Sequence, residues 1–373
     1  MPFILPNYFF NILCLLIVSL WSPLTLCLTQ SQLYCEQIDL TKKIDSNQNN
    51  ESELSWTEDS LYTNPQYVYE YQLKNMNKIL AYQNERSLHC EQLIKINKNN
   101  IFSQKRISES NEIKITIAIG YNDNSINDYV SDDYVKFLIQ KQLTSTCPSN
   151  LYSNCGFSIK KNNAFESIFE KKIWNNEKTL VVQIIKSALT NDDKLNRDNP
   201  EQNIQSQATE SLFYNSFTNS HFIFYLGHSR NGGGPDFFPA KLTKAHHPDY
   251  EWYHKNKIKK IALSNQLSRI KSDNKPLLFA MISCSSYLHF QKTLISTLPD
   301  TLLFFSKQSI YNFEYFQSIM VFINALEFKK SILNMNIDLE ATNIAHRKVG
   351  NIEAPLLFIM NLSKENVSTT YRK

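Results

Sequence analysis

The segment HFIFYLGHSRNGGGPDFF, His221 to Phe238, carries the reading of this chain. Residues 221–226 are rich in aromatic and β-branched side chains, which predicts a strand. Gly227 lets the backbone leave it sharply, so His228 stands at the strand's carboxyl end. Gly232, Gly233 and Gly234, followed by Pro235, then prevent a helix for several residues. Such a backbone can lie against a bound chain or turn N–H groups toward an oxyanion. The chain has only seven glycines in 373 residues, against a usual share of about 7%. Four of them fall in this loop, which marks it as the place to look for chemistry.

A second segment has the same build. In KPLLFAMISCSSYLHF, Lys275 to Phe290, residues 277–282 read as a buried strand that delivers Cys284 to its carboxyl end, followed by Ser285 and Ser286. A thiolate in that position can be stabilised by backbone N–H groups. His228 and Cys284 are 56 residues apart, which leaves room for a crossover helix between neighbouring parallel strands. If the two strands are neighbours, a base and a nucleophile stand side by side.

The surrounding pattern supports that arrangement. From Glu112 onward, apolar runs at 113–120, 179–187, 221–227, 276–283 and 301–306 alternate with helical patterns at 132–143, 164–174, 204–217, 257–270 and 312–328. This predicts a three-layer α/β domain with a mainly parallel sheet over residues 112–373. Ligands of such sheets sit at the carboxyl ends of strands, where both segments lie.

An apolar strand ending in His, followed some 50 residues later by an apolar strand ending in Cys, resembles the caspase-like cysteine peptidases: caspases, legumains, gingipains and separases. The resemblance covers about residues 112–328. It implies a caspase-like domain in which Cys284 is the nucleophile and His228 the general base. The oxyanion would be held by the N–H of Cys284 and one from the loop after His228, with Ser229, Gly232, Gly233, Gly234 and Ser285 forming the oxyanion and substrate loops. It also implies a peptide or protein substrate and no cofactor. The chain departs from the family in carrying Ser229 where a glycine usually follows the His. It also has Ile282-Ser283-Cys284-Ser285-Ser286 in place of the caspase block around the Cys.

No charged residue precedes Glu36, and residues 12–21 are apolar apart from Ser19. Ten residues are too few to span a bilayer, and Pro23 follows, so residues 1–27 read as a secretory or lipoprotein signal, with Cys27 the lipid site in the second case. Membrane attachment is expected only there. Residues 28–111 read as an N-terminal helical and linker region. An exported protein admits disulfides: Cys147 and Cys155 could close a short loop and Cys35 could pair with Cys90, though sequence alone does not fix the connectivity. Cys284 is left over as a free thiol.

Lys and Arg total 39 against 35 Asp and Glu, with no concentrated basic block, so a nucleic-acid partner is not expected. His246, His247, Asp249, Glu251 and His254 match no zinc spacing, and Pro248 interrupts them. The glycines lack the Lys-Ser/Thr of a phosphate-binding loop. Two other readings remain open. One is a non-catalytic binding or surface protein on the same scaffold. The other is a serine hydrolase with Ser229 in a near match to Gly-x-Ser-x-Gly and His289 or His346 as its base. The polar stretch 190–203 reads as an exposed connection open to an activating cut.

Overall fold

The computed structural model describes residues 105–122, 131–149, 153–256, 263–270, 275–307, 309–310, 312–330, 332, 334–335, 338–339 and 357–360. The signal, nearly all of the N-terminal region, and Cys14, Cys27, Cys35 and Cys90 lie outside the described residues.

Eight strands form one mixed sheet in the order β2-β3-β4-β1-β5-β6-β7-β8. Its centre is five parallel strands: β4 (Lys178–Lys186), β1 (Glu112–Ile119), β5 (Phe222–Leu226), β6 (Leu278–Ile282) and β7 (Leu302–Ser306). The flanks are antiparallel, with β2 (Ser158–Asn162) and β3 (Glu166–Ile173) on one edge and β8 (Leu357–Met360) on the other. Every residue of β5, β6 and β7 is buried. That is why these runs read as continuously apolar: a parallel strand covered on both faces has no wet side.

The cover comes from two helical layers. On one face Ile115, Ile117, Phe224, Ile282 and Phe304 pack against α2 (Asp132–Thr144) and α8 (Asn312–Glu327). On the other face Ala118, Tyr225, Phe279 and Met281 meet α4 (Pro200–Asn219), α6 (Leu263–Leu267) and α7 (Ser286–Thr297). Residues alternate between the two cores along each strand, as the period of two requires. Phe322 of α8 lies 4.8 Å from Phe224 and 4.9 Å from Phe304, ring to ring, which locks α8 across β5 and β7. Ser131 caps α2 by accepting from Tyr134 N, and Asn199 with Pro200 starts α4, both residue types that suit a helix start.

Four expectations change. Residues 164–174 are not a helix but β3: the buried Phe169 and Ile173, four apart, fit either period, and the unbroken ladder from Glu166↔Ile185 to Ile173↔Lys178 decides for a strand. The stretch 257–270 is a helix only at α6 among the described residues; α5 (Tyr250–Asn256) lies before it. Residues 190–203 are not a loose connection. They hold α3 (Asp193–Asp198) and the start of α4, with Asn196 and Gln202 buried. The domain also begins before Glu112: α1 (Lys105–Ser108) buries Ile107 in the core, and Arg106 donates to the carbonyls of Thr218, Ser220 and Lys275. Cys147 and Cys155 form a disulfide, and Cys284 is a free thiol. Among the described residues no helix is long and apolar enough to cross a membrane.

Candidate functional site at the carboxyl rim of the sheet

The register of β5 and β6 pairs Leu226 with Ile282. His228 and Cys284 each follow two residues later, so both stand just past the carboxyl ends of adjacent strands, the same number of residues beyond the last matched pair. The ladder continues one step, with Gly227 N donating to Ile282 O at 3.3 Å. The side chains are not joined: neither imidazole nitrogen has a hydrogen-bond partner among the described residues. Cys284 Sγ instead meets the backbone of Ile310, accepting from its N at 3.4 Å and lying 3.7 Å from its O. Tyr315, on α8, donates to Gly227 O at 3.2 Å and so ties that helix to the exit of β5. Burial, and then negative charge that includes Cys284 and Asp132, keeps the Tyr315 phenol protonated well above its usual range.

His228 and Cys284 are both partly buried. Burial lowers the imidazole to about 3, the Arg230 guanidinium pushes the same way, and Asp236 opposes both. At neutral pH the ring is therefore uncharged with a lone pair to offer. It becomes an effective base only when a negative charge forms beside it.

The glycine loop is held from beneath. Arg230, Asn231 and Gly232 all have positive φ, at 47°, 54° and 87°, a conformation that is strained for Arg. Burial fixes it there. Arg230 Nε lies 3.3 Å from Asp236 Oδ2, both side chains being about 1% exposed, and the guanidinium stacks over Tyr253. Asp236 also accepts from Tyr253 Oη at 3.0 Å and from Phe238 N at 3.2 Å. Tyr225 Oη lies 3.1 Å from His228 O and accepts from Asp236 N at 2.9 Å. Gly234 sits so close that a Cβ there would stand 2.7 Å from His228 O.

The glycines shape the turn with amides directed inward: Gly232 and Gly234 donate to Ser229 O, and Gly233 to Arg230 O. Among the described residues the amides of Ser229 and Cys284 donate no hydrogen bond. Ser285, at φ 50°, bends the chain from β6 into α7. Ser229 is buried and is followed by a short 3-10 turn rather than a helix. That removes the strand-to-helix elbow a serine nucleophile requires. His289 lies on α7, and His346 is outside the described residues. No group of metal-binding side chains occurs among the described residues.

The sequence did not point to Tyr315, the Arg230–Asp236–Tyr253 clamp, or the pair Asn122 and Asp132 beside β1. Only the last had a legible signal, because Asn122 follows a strand end by the same rule that selected His228. No family model, curated protein or solved structure matches this chain.

Proposed function

We propose that this chain is an exported cysteine-dependent peptidase on a caspase-like α/β scaffold, with Cys284 as nucleophile and His228 as general base. The observation that carries the reading is the Leu226↔Ile282 register, which sets the two residues level at the carboxyl rim of adjacent parallel strands. The arrival of a peptide brings imidazole and thiol to hydrogen-bond reach, a tightening that resting enzymes often require. His228 takes the thiol proton, and Cys284 Sγ attacks the carbonyl carbon. The oxyanion accepts from Ser229 N and Cys284 N. His228 then gives its proton to the departing amine, and water cleaves the thioester to release the acid and restore the thiol. The apolar run at 12–21 and the Cys147–Cys155 disulfide support an oxidising, exported setting.

The alternative is a binding protein on this scaffold, favoured by the engagement of Sγ with Ile310. Iodoacetamide separates the two. A working dyad makes Cys284 react at pH 7 at least about tenfold faster than an unstructured peptide thiol, and His228→Ala abolishes the excess. Cleavage of unfolded protein substrates should vanish in Cys284→Ala. A thiol no faster than the peptide control, together with cleavage unaffected by Cys284→Ala, would remove the peptidase reading.

A further inference from the structure

Beside the dyad, at the end of β1, two buried oxygen atoms have nothing to accept from. Asp132, the first residue of α2, is 2% exposed, and Asn122 is 6% exposed. Asn122 donates to Asp132 Oδ1 from its backbone N at 3.1 Å and from Nδ2 at 2.7 Å. Among the described residues Asp132 Oδ2 and Asn122 Oδ1 have no hydrogen-bond partner. Lys186 is the cation that bears on Asp132, yet its ammonium is bound to Asp133 Oδ1 at 2.8 Å and Ala188 O at 2.6 Å. A buried acceptor left unmet is costly, so a pair of them in contact calls for explanation.

The place is specific. β1 lies next to β5 with Ile119 opposite Leu226, Tyr121 N then donates to Asp236 O, and Asn122 follows. Cys284 is two strands away, on the order of 10 Å at the usual spacing of about 4.8 Å. Asp132 and Cys284 open toward the same helical layer: Asp132 starts α2, the Cys284 thiol meets Ile310 just ahead of α8, and both lie near enough to act on the Tyr315 phenol. A long side chain on a peptide bound at Cys284 spans that gap, and a short one does not.

Two adjacent acceptors are satisfied together by a group with several donors and no acceptor, which among side chains means the ammonium of Lys or the guanidinium of Arg. A carboxylate would repel Asp132 once ionised, and an apolar chain would leave both oxygens unmet. We infer that Asp132 and Asn122 select a basic residue, Lys or Arg, immediately before the scissile bond. The inference rests on the proposed peptidase reading and deepens it. Both oxygens are buried at rest, so the arriving side chain displaces what covers them, and the cation's approach releases to solvent the proton that burial keeps on Asp132, leaving a carboxylate already oriented by Asn122.

The test uses peptidyl acyloxymethyl ketones that differ only in the residue next to the warhead: Lys, Arg, Leu or Asp. Labelling of Cys284 in the full chain is followed by intact mass, and each variant's rate is divided by its own iodoacetamide rate. The Lys and Arg probes should label about 10- to 100-fold faster than Leu or Asp. Asp132→Asn should collapse that ratio by at least tenfold, and Asn122→Ala should lower it less. Equal labelling by all four probes, or faster labelling by Leu or Asp, overturns this inference while leaving the peptidase reading intact. An unchanged ratio in Asp132→Asn likewise removes Asp132 from selection. Failure of every probe to label Cys284, when iodoacetamide still does, brings down the peptidase reading and this inference with it.

Discussion

The two sides of the glycine loop handle buried polarity in opposite ways. On the α4 and α5 side lies a cleft of about 330 Å³ lined in part by Asn196, Gln202, Asp236 and Tyr253. It is the obvious place to look for a ligand, yet its buried groups already have partners. Asn196 bonds Thr190 and Tyr121, Gln202 bonds Leu189, Ser187 and Ser206, and Asp236 holds Arg230 and Tyr253. On the α2 and α8 side, two adjacent buried oxygens have none among the described residues. The contrast teaches that here the cleft lies beside scaffolding, while the unmet pair proposed to meet substrate lies on the opposite side. A satisfied network fixes the shape of a strained loop, and an unsatisfied pair waits for a donor.

The sharpest way to break that contrast is Asp236→Ala. It strips the carboxylate from a guanidinium that stays buried, so urea unfolding should show a loss of about 3–5 kcal/mol. A loss under about 1 kcal/mol would mean the paired side is not what holds the loop.

Asp132→Asn should act in the other direction. Burial raises the Asp132 carboxyl to about 8 against an ordinary 3.8, with Lys186 and the Asn122 bonds opposing. Between those values the folded chain keeps a proton that the unfolded chain has released, so Asp132 costs stability, and the cost grows as pH rises from about 4 to 8. The amide carries no such cost. The variant should therefore gain on the wild type with rising pH, each kcal/mol raising Tm by about 2–4 °C. A difference that stays flat from pH 4 to 8 would show that Asp132 is ionised in the fold. Acid acts through the histidines instead. Burial lowers His228 to about 3 and His221 to about 4, so stability falls as pH drops below their ordinary 6.5, where the unfolded chain takes up the protons the fold refuses.

Tyr315→Phe should have the smallest effect, about 1 kcal/mol for the bond to Gly227 O. A cost approaching that of Asp236→Ala would show the Gly227 and Tyr315 side to be clamped as firmly as the other.

All five parallel strands were legible because each is a short apolar run bounded by polar residues, and a strand buried on both faces needs no partner to reveal itself. The helix α2 was legible from its spacing, and the extent of α4 was underestimated because its first turn is polar. β3 was misread because a run of eight with Phe169 and Ile173 four apart satisfies two periods, and the ladder to β4 that chooses between them is remote information. Cys284 N was expected as a donor from the start, whereas Ser229 N replaced the loop glycines only once the inward turn of the Gly232–Gly234 amides was in place.

The sequence by itself determined the sheet's central strands, the helices α2, α4 and α8, and the two loops at which His228 and Cys284 leave it, because local patterns of apolarity and glycine suffice for each. Tertiary structure alone decided that the two leave at the same level, that Asp236 and Tyr253 clamp the strained Arg230, and that Asn122 and Asp132 meet with oxygens unmatched. Those facts depend on strand order and on burial, and both are properties of chain segments brought together from far apart.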